Sequence, residues 1–118
     1  MQILVLKSKI HRATVTEACL DYEGSLTIDT TLMQAANIYP YEKVEIYNLA
    51  NGSRFETYAI PGKADSGIIC ANGAAAHLAK AGELIIIAAY GIIPDTPENR
   101  TKYQPQIVKV DQDNRIKK

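Results

Sequence analysis

Lys43-Val-Glu-Ile-Tyr-Asn-Leu-Ala-Asn-Gly-Ser-Arg-Phe-Glu-Thr-Tyr-Ala-Ile60 sets the fold class of this chain. Lys43 to Leu49 alternates polar and apolar residues with the period of a half-buried strand. Arg54 to Ile60 repeats the pattern after Asn51-Gly52. Asn-Gly between two such runs predicts a β-hairpin, because both central turn positions favour φ > 0. Outward from the hairpin the signals stay β-rich. Residues 3–6, 67–71, 84–89 and 107–110 read as further strands. Leu84 to Ala89 lacks alternation and should be buried on both faces. Two short helices are expected: Thr30 to Ala36, capped by Asp29 and stopped by Asn37, and Ala74 to Ala81, ended by Gly82. Pro94 to Pro105 carries three prolines and reads as a loop. Residues 112–118 read as a frayed tail. The pattern predicts a single domain over residues 1–118, mainly β, as a small barrel with short helical inserts.

Composition narrows the function classes. The 118 residues carry 13 Lys+Arg against 13 Asp+Glu, with 47% apolar and 22% charged residues. Such a chain is too apolar and too neutral for a disordered segment. Zero net charge makes a poor non-specific binder of nucleic acid, where phosphate neutralisation supplies most of the affinity. Met1 to Lys7 has a four-residue apolar stretch with no basic region before it, so no secretory signal is expected. Leu84 to Ile93 is interrupted by Tyr90 and Gly91 and is too short to span a bilayer as a helix. Cys19 and Cys70 have no metal-ligand spacing and read as reduced thiols of a cytoplasmic protein.

Three segments can carry chemistry. If Lys7-Ser-Lys-Ile-His-Arg12 is extended, Lys7, Lys9 and His11 share one face. That face is either a charged, solvated edge strand or a cationic grip on a small anion. Asn72-Gly-Ala-Ala-Ala76 opens a helix, whose unpaired N–H groups can hold an anion. Read from the residues alone, a capped helix packed through alanines is the simpler alternative. Gly24-Ser25 is the third. A strained Gly-Ser bond can rearrange: the Ser hydroxyl attacks the Gly carbonyl, elimination opens the ester, and the new N-terminus becomes a pyruvoyl group. The dipeptide alone is no signal, since Gly52-Ser53 is also present in the hairpin.

The flanks decide. Lys9-Ile-His-Arg-Ala-Thr-Val-Thr-Glu-Ala-Cys-Leu-Asp-Tyr-Glu-Gly-Ser25 resembles the processing segment of the pyruvoyl-dependent aspartate 1-decarboxylases. Asn51-Gly-Ser-Arg-Phe-Glu-Thr-Tyr-Ala-Ile60 resembles that family's second motif, and Ile69-Cys-Ala-Asn-Gly-Ala-Ala-Ala-His77 its third. The resemblance covers residues 7–90, and residues 91–118 match less tightly.

The resemblance implies a double-psi β-barrel, a homotetramer with active sites between subunits, and room for a separate maturation factor. It implies decarboxylation of L-aspartate to β-alanine and CO2 for pantothenate and coenzyme A synthesis. The reaction would run through a Schiff base to a pyruvoyl group made autocatalytically from Ser25. Cleavage would divide the chain into residues 1–24 and 25–118, with Gly24 as the new C-terminus. No metal and no pyridoxal phosphate are expected. By resemblance Thr57 stabilises the oxyanion of processing and contacts substrate, and Tyr58 returns a proton to Cα. Lys9 and Arg54 bind carboxylate, Asn72 orients a reacting group, and Gly73, Ala74 and Ala75 line the pocket through backbone N–H groups. His11 and Tyr22 support the region of the scissile bond. Cys19, Cys70 and His77 read as structural. Thr57 and Tyr58 are adjacent, so a regular strand points them to opposite faces. They serve one site only if the strand bends, or else they serve sites of different subunits. The rival reading is a non-enzymatic oligomeric β-barrel that binds a partner through Lys7, Lys9, Arg12 and Arg54. A family member that has lost activity and a Ser or Cys hydrolase are further rivals, the last without a credible base.

Overall fold

Period-two patterning becomes strands throughout the computed structural model, which describes all residues from Met1 to Lys118. Eight strands form: β1 (Gln2–Thr14), β2 (Glu17–Cys19), β3 (Ser25–Asp29), β4 (Lys43–Asn48), β5 (Arg54–Gly62), β6 (Ile69–Asn72), β7 (Leu84–Pro94) and β8 (Gln106–Lys109). Two helices, α1 (Thr30–Ala35) and α2 (Pro97–Lys102), and a 3₁₀ turn, Gly73–His77, complete the chain. It is mainly β with short helical inserts, as expected. The strands pair in the order β2-β6-β3-β5-β4-β7-β1-β8. β1 and β2 lie near opposite ends of this order, yet only Val15 and Thr16 separate them in the chain. At that corner Thr16 N donates to Ile69 O at 2.8 Å, and Val15 N to Glu83 O at 2.9 Å. The two ends of the sheet therefore meet there, around a core that includes Ile10, Leu26, Ile28, Val44, Ile46, Ile69, Ile85 and Ile87.

The predicted hairpin is present, with Lys43 opposite Tyr58 and Tyr47 opposite Arg54. Its turn is longer than Asn-Gly alone implies. Gly52 has φ +76°, but Asn51 stays out of the left-handed region. Asn48 Oδ1 and Asn51 Oδ1 each accept from the backbone two residues on, at 2.8 and 2.9 Å. These side-chain turns build a wider loop than two residues in the left-handed region would. Asp29 caps α1 as predicted, accepting from Thr31 N at 2.8 Å. Its carboxylate also accepts from Asp65 N and Gly67 N, so it ties the 65–67 loop to the start of α1.

Four expectations are corrected. The alanine-rich segment forms only the five-residue 3₁₀ turn rather than a helix to Ala81. A turn this short lacks an α-helix dipole, so that part of the anion argument is lost. Pro94 to Pro105 contains α2, with Thr96 as its cap and Pro97 in its first turn, where a missing N–H costs nothing. Residues 112–118 are docked rather than frayed. Asn114 is only 2% exposed. Its Nδ2 donates to Thr14 O and Gly67 O, and its Oδ1 accepts from Thr14 N, all within 2.7–2.8 Å. Removing this side chain would orphan buried backbone groups, which explains why the segment docks. Finally, β1 is not an edge at its basic stretch: residues 8–11 pair with β7 or β8 or both. Register shifts follow Leu6 and Ile10, and Arg12 adopts φ +65°. Lys7, Lys9 and His11 still alternate with buried Ser8 and Ile10, whereas Arg12 is exposed. Lys7 is neutralised by Glu42 at 2.7 Å.

Candidate active site

Three strands converge on Asn72. It lies opposite Cys19 in the parallel β2–β6 pair and opposite Ser25 in the antiparallel β3–β6 pair. The 20–24 loop that joins β2 to β3 must therefore cross the end of β6, where Gly73 begins the 3₁₀ turn. Gly73 has φ +61°, and a Cβ there would lie 2.7 Å from Gly24 N and Tyr22 O and 2.8 Å from Gly24 Cα. Only glycine fits both the backbone angle and this approach. Gly24 and Ser25 are thus pressed against Gly73 by main-chain packing, with Ala74 N next along the turn.

Ser25 is 5% exposed, and so is Asn72. Asn72 Nδ2 donates to Ser25 Oγ at 3.1 Å and to Thr27 Oγ1 at 3.0 Å. Cys70 Sγ donates to Asn72 Oδ1 at 3.2 Å. Ser25 Oγ also reaches Glu23 O, at a long 3.4 Å. Both amide hydrogens and the oxygen thus have a partner, as a buried amide requires. Burial pushes the Cys70 thiol up, and the charges of Glu17 and Cys19 add to it. The thiol therefore keeps its proton at neutral pH. Thr27 is not singled out by the sequence, and Cys70 reads there only as a structural thiol. The signal for Cys70 was available, since Cys70 and Asn72 are two apart on one strand and share a face.

No side-chain hydrogen bond joins the other expected residues to this cluster. Thr57 and Tyr58 lie on β5, which pairs with β3 from Leu26 opposite Ala59 onward. The β4–β5 register has no irregularity from Arg54 to Tyr58. Thr57 is half-buried on the inward side with Phe55 and Ala59, while Arg54, Glu56 and Tyr58 face outward. Strand bending therefore does not bring Thr57 and Tyr58 to one face. Arg54 lies over the Tyr47 ring at 3.9 Å, a cation–π stack. Tyr47 and Tyr90 share a 2.5 Å hydrogen bond, and burial with this bond pushes the Tyr47 phenol up to about 12. Lys9 is half-buried on β1, opposite Ala88 and Ile107. Neither Lys9 nor Arg54 is in an ion pair; the four pairs present are Lys7–Glu42, Lys43–Glu56, Arg100–Asp95 and Lys102–Glu98. His11 Nδ1 is buried without a hydrogen-bond partner. Desolvation lowers the His11 pKa, and Lys9, Arg12, Lys109 and Lys117 lower it further. Tyr22 is 66% exposed through its side chain. The main surface cavities, such as that lined by Thr30, Met33, Ile38, Tyr39 and Pro61, include none of Ser25, Asn72, Arg54 and Tyr58. No helix is long and apolar enough to cross a membrane.

Comparison with known proteins bears on this site. The sequence model of the family described as aspartate decarboxylase matches residues 1–117. A protein of Syntrophobacter fumaroxidans named aspartate 1-decarboxylase is 60% identical over 115 residues, covering 98% of this chain and 91% of its own length. A protein of the same name from Dehalococcoides mccartyi is 57% identical over 114 residues, covering 97% and 90%. Another, from Syntrophus aciditrophicus, is 56% identical over 117 residues, covering 99% of each chain. With its full length matched and its Gly24-Ser25 bond packed against Asn72-Gly73, the chain belongs to the aspartate decarboxylase family.

Proposed function

We propose that this chain cleaves itself between Gly24 and Ser25 and then decarboxylates L-aspartate to β-alanine and CO2, supplying pantothenate and coenzyme A synthesis. One observation carries the reading: Ser25 Oγ is buried beside Gly24 and receives an N–H from Asn72. In the first step Ser25 Oγ bonds to the Gly24 carbonyl carbon, and the Gly24–Ser25 C–N bond breaks. Thr57 is the hydroxyl donor for the oxyanion that forms on Gly24. Loss of the Ser25 α-proton then expels Gly24 as a carboxylate. Water removes the nitrogen as ammonia and leaves a pyruvoyl group at the head of residues 25–118.

The residues present suit such a group. Asn72 and Thr27 offer polar atoms at position 25, and glycine at 73 leaves the backbone free to approach it. When formed, the pyruvoyl group supplies the electron sink for the pair released by the broken carbon–carbon bond. Arg54 and Lys9, free of ion pairs, bind carboxylate, and at least one of them holds the side-chain carboxylate of aspartate. Gripping the departing carboxylate instead would stabilise the ground state. Tyr58 O–H returns a proton to Cα, and the N–H groups of Gly73, Ala74 and Ala75 line the pocket. His11 and Tyr22 support the backbone near the cleavage point.

The reading includes a cytoplasmic homotetramer with sites between subunits. Thr57 and Tyr58 on opposite faces of a regular strand support it, because they suit two different sites. So does the exposed apolar pair Leu4 and Ile92, which lie opposite each other on β1 and β7. Incubating the purified protein with aspartate labelled at C1 tests the function. Labelled CO2 and one equivalent of β-alanine are expected. Unchanged aspartate from a folded, fully cleaved preparation would refute the substrate assignment.

A further inference from the structure

A carboxamide has a donor end and an acceptor end, and a half-turn exchanges them with little change in shape. Asn72 faces that choice. The hydroxyls of Ser25 and Thr27, which meet its nitrogen, can each donate or accept, so they do not fix its orientation. The third neighbour does. Cys70 Sγ lies 3.2 Å from Asn72 Oδ1 and is 5% exposed. A thiol donates weakly and accepts weakly, and an amide oxygen is the partner that uses its proton. Glu17 lies opposite Cys70 on β2, and burial keeps the thiol protonated.

The geometry points to Cys70 as a positioning residue for self-cleavage: its S–H holds Asn72 Oδ1 and keeps the amide nitrogen turned towards Ser25 Oγ. This rests on the reading that Gly24-Ser25 is the bond cleaved. Orientation matters because Ser25 Oγ must shed its proton to attack. An N–H directed at Oγ stabilises the charge that develops, whereas a carbonyl oxygen in its place repels it. With Asn72 donating, the Ser25 proton is left to point towards Glu23 O, outside the carboxamide's reach. Without a donor at position 70, one buried end of the amide is unpaired in either orientation. The nitrogen then faces Ser25 for only part of the time.

The test follows cleavage of uncut precursor by denaturing mass measurement in three proteins: wild type, Cys70→Ala and Cys70→Ser. Alanine and serine are both smaller than cysteine, but only serine restores a donor. Cleavage of Cys70→Ala should be roughly five-fold slower or more, the value of one modest hydrogen bond, while Cys70→Ser stays within about two-fold of wild type. Equal slowing in both variants would mean that Cys70 only fills space and would overturn the proposal. Wild-type speed in Cys70→Ala would overturn it too, leaving the Ser25 reading intact. Absence of cleavage in folded wild type would instead remove the Ser25 reading and this proposal with it.

Discussion

The end of β6 and the outer face of β5 make opposite use of their polar side chains. At the end of β6, Ser25, Thr27, Cys70 and Asn72 are bonded to one another, and three of the four are buried. On β5, Arg54 and Tyr58 face outward, without an ion pair or a cavity around them. The difference follows from the two tasks. The proposed self-cleavage acts on the chain's own backbone, so one chain can bring Ser25 and the partners of its hydroxyl together in advance. A small dianion has to be gripped from several sides, and an open strand face offers only one. On that reading one chain supplies Ser25 and Asn72 from the β3–β6 cluster and Thr57 from β5, while a second chain completes the outward β5 face.

The comparison breaks most visibly at Ser25. Ser25→Ala deletes the attacking hydroxyl, and one uncut chain without a reactive carbonyl is expected on a denaturing gel and by mass. A cut Ser25→Ala chain would place the chemistry elsewhere. Gly73→Ala attacks the packing that holds Gly24. Its Cβ would meet backbone atoms at 2.7–2.8 Å in a left-handed conformation. A stability loss of about 1–3 kcal/mol is expected from urea melts, with slowed cleavage. Wild-type stability would show that the Gly73–Gly24 approach is relaxed at no cost. Arg54→Ala sharpens the contrast. Aspartate KM should rise by roughly ten-fold or more while precursor cleavage keeps its rate, since a charged hydrogen bond is worth about 1.5–3 kcal/mol. Equal losses in both assays would erase the separation of the two regions.

The smallest effect concerns His11. Its pKa is lowered in the folded chain, chiefly by desolvation and then by Lys9 and the other cations. The folded state thus binds fewer protons than the unfolded state, and stability rises with pH through this window. Stability should be constant above the ordinary value of 6.5 and decline below it. Urea midpoints at about pH 5.5 and about pH 7.5 should differ for wild type and converge for His11→Gln. An imidazole that titrates at or above 6.5 by NMR would contradict this.

Much of the fold was legible where one local rule applied. Alternation located β4 and β5, and Asp29 marked the start of α1. Legibility failed where side chains replaced backbone rules. The hairpin loop is shaped by Asn48 and Asn51 rather than by two left-handed residues. Thr96, Pro97 and Glu98 form a valid helix start that the surrounding prolines obscured. Asn114 docks the tail through partners 100 and 47 residues away, which no local pattern encodes. In the site, Gly24, Ser25, Asn72 and Gly73 were legible as a motif, but not their contact, which depends on β2 and β3 both flanking β6. Opposite facings for Thr57 and Tyr58 followed from strand period alone.

The proposed function turns on the bond between Gly24 and Ser25. Its most direct test is the intact mass of the purified protein under denaturing conditions, before and after a carbonyl reagent. Two chains are predicted, residues 1–24 and residues 25–118, with only the second shifted by the reagent. A single full-length chain that persists through prolonged warming, folded and unreactive, would contradict self-cleavage by this chain.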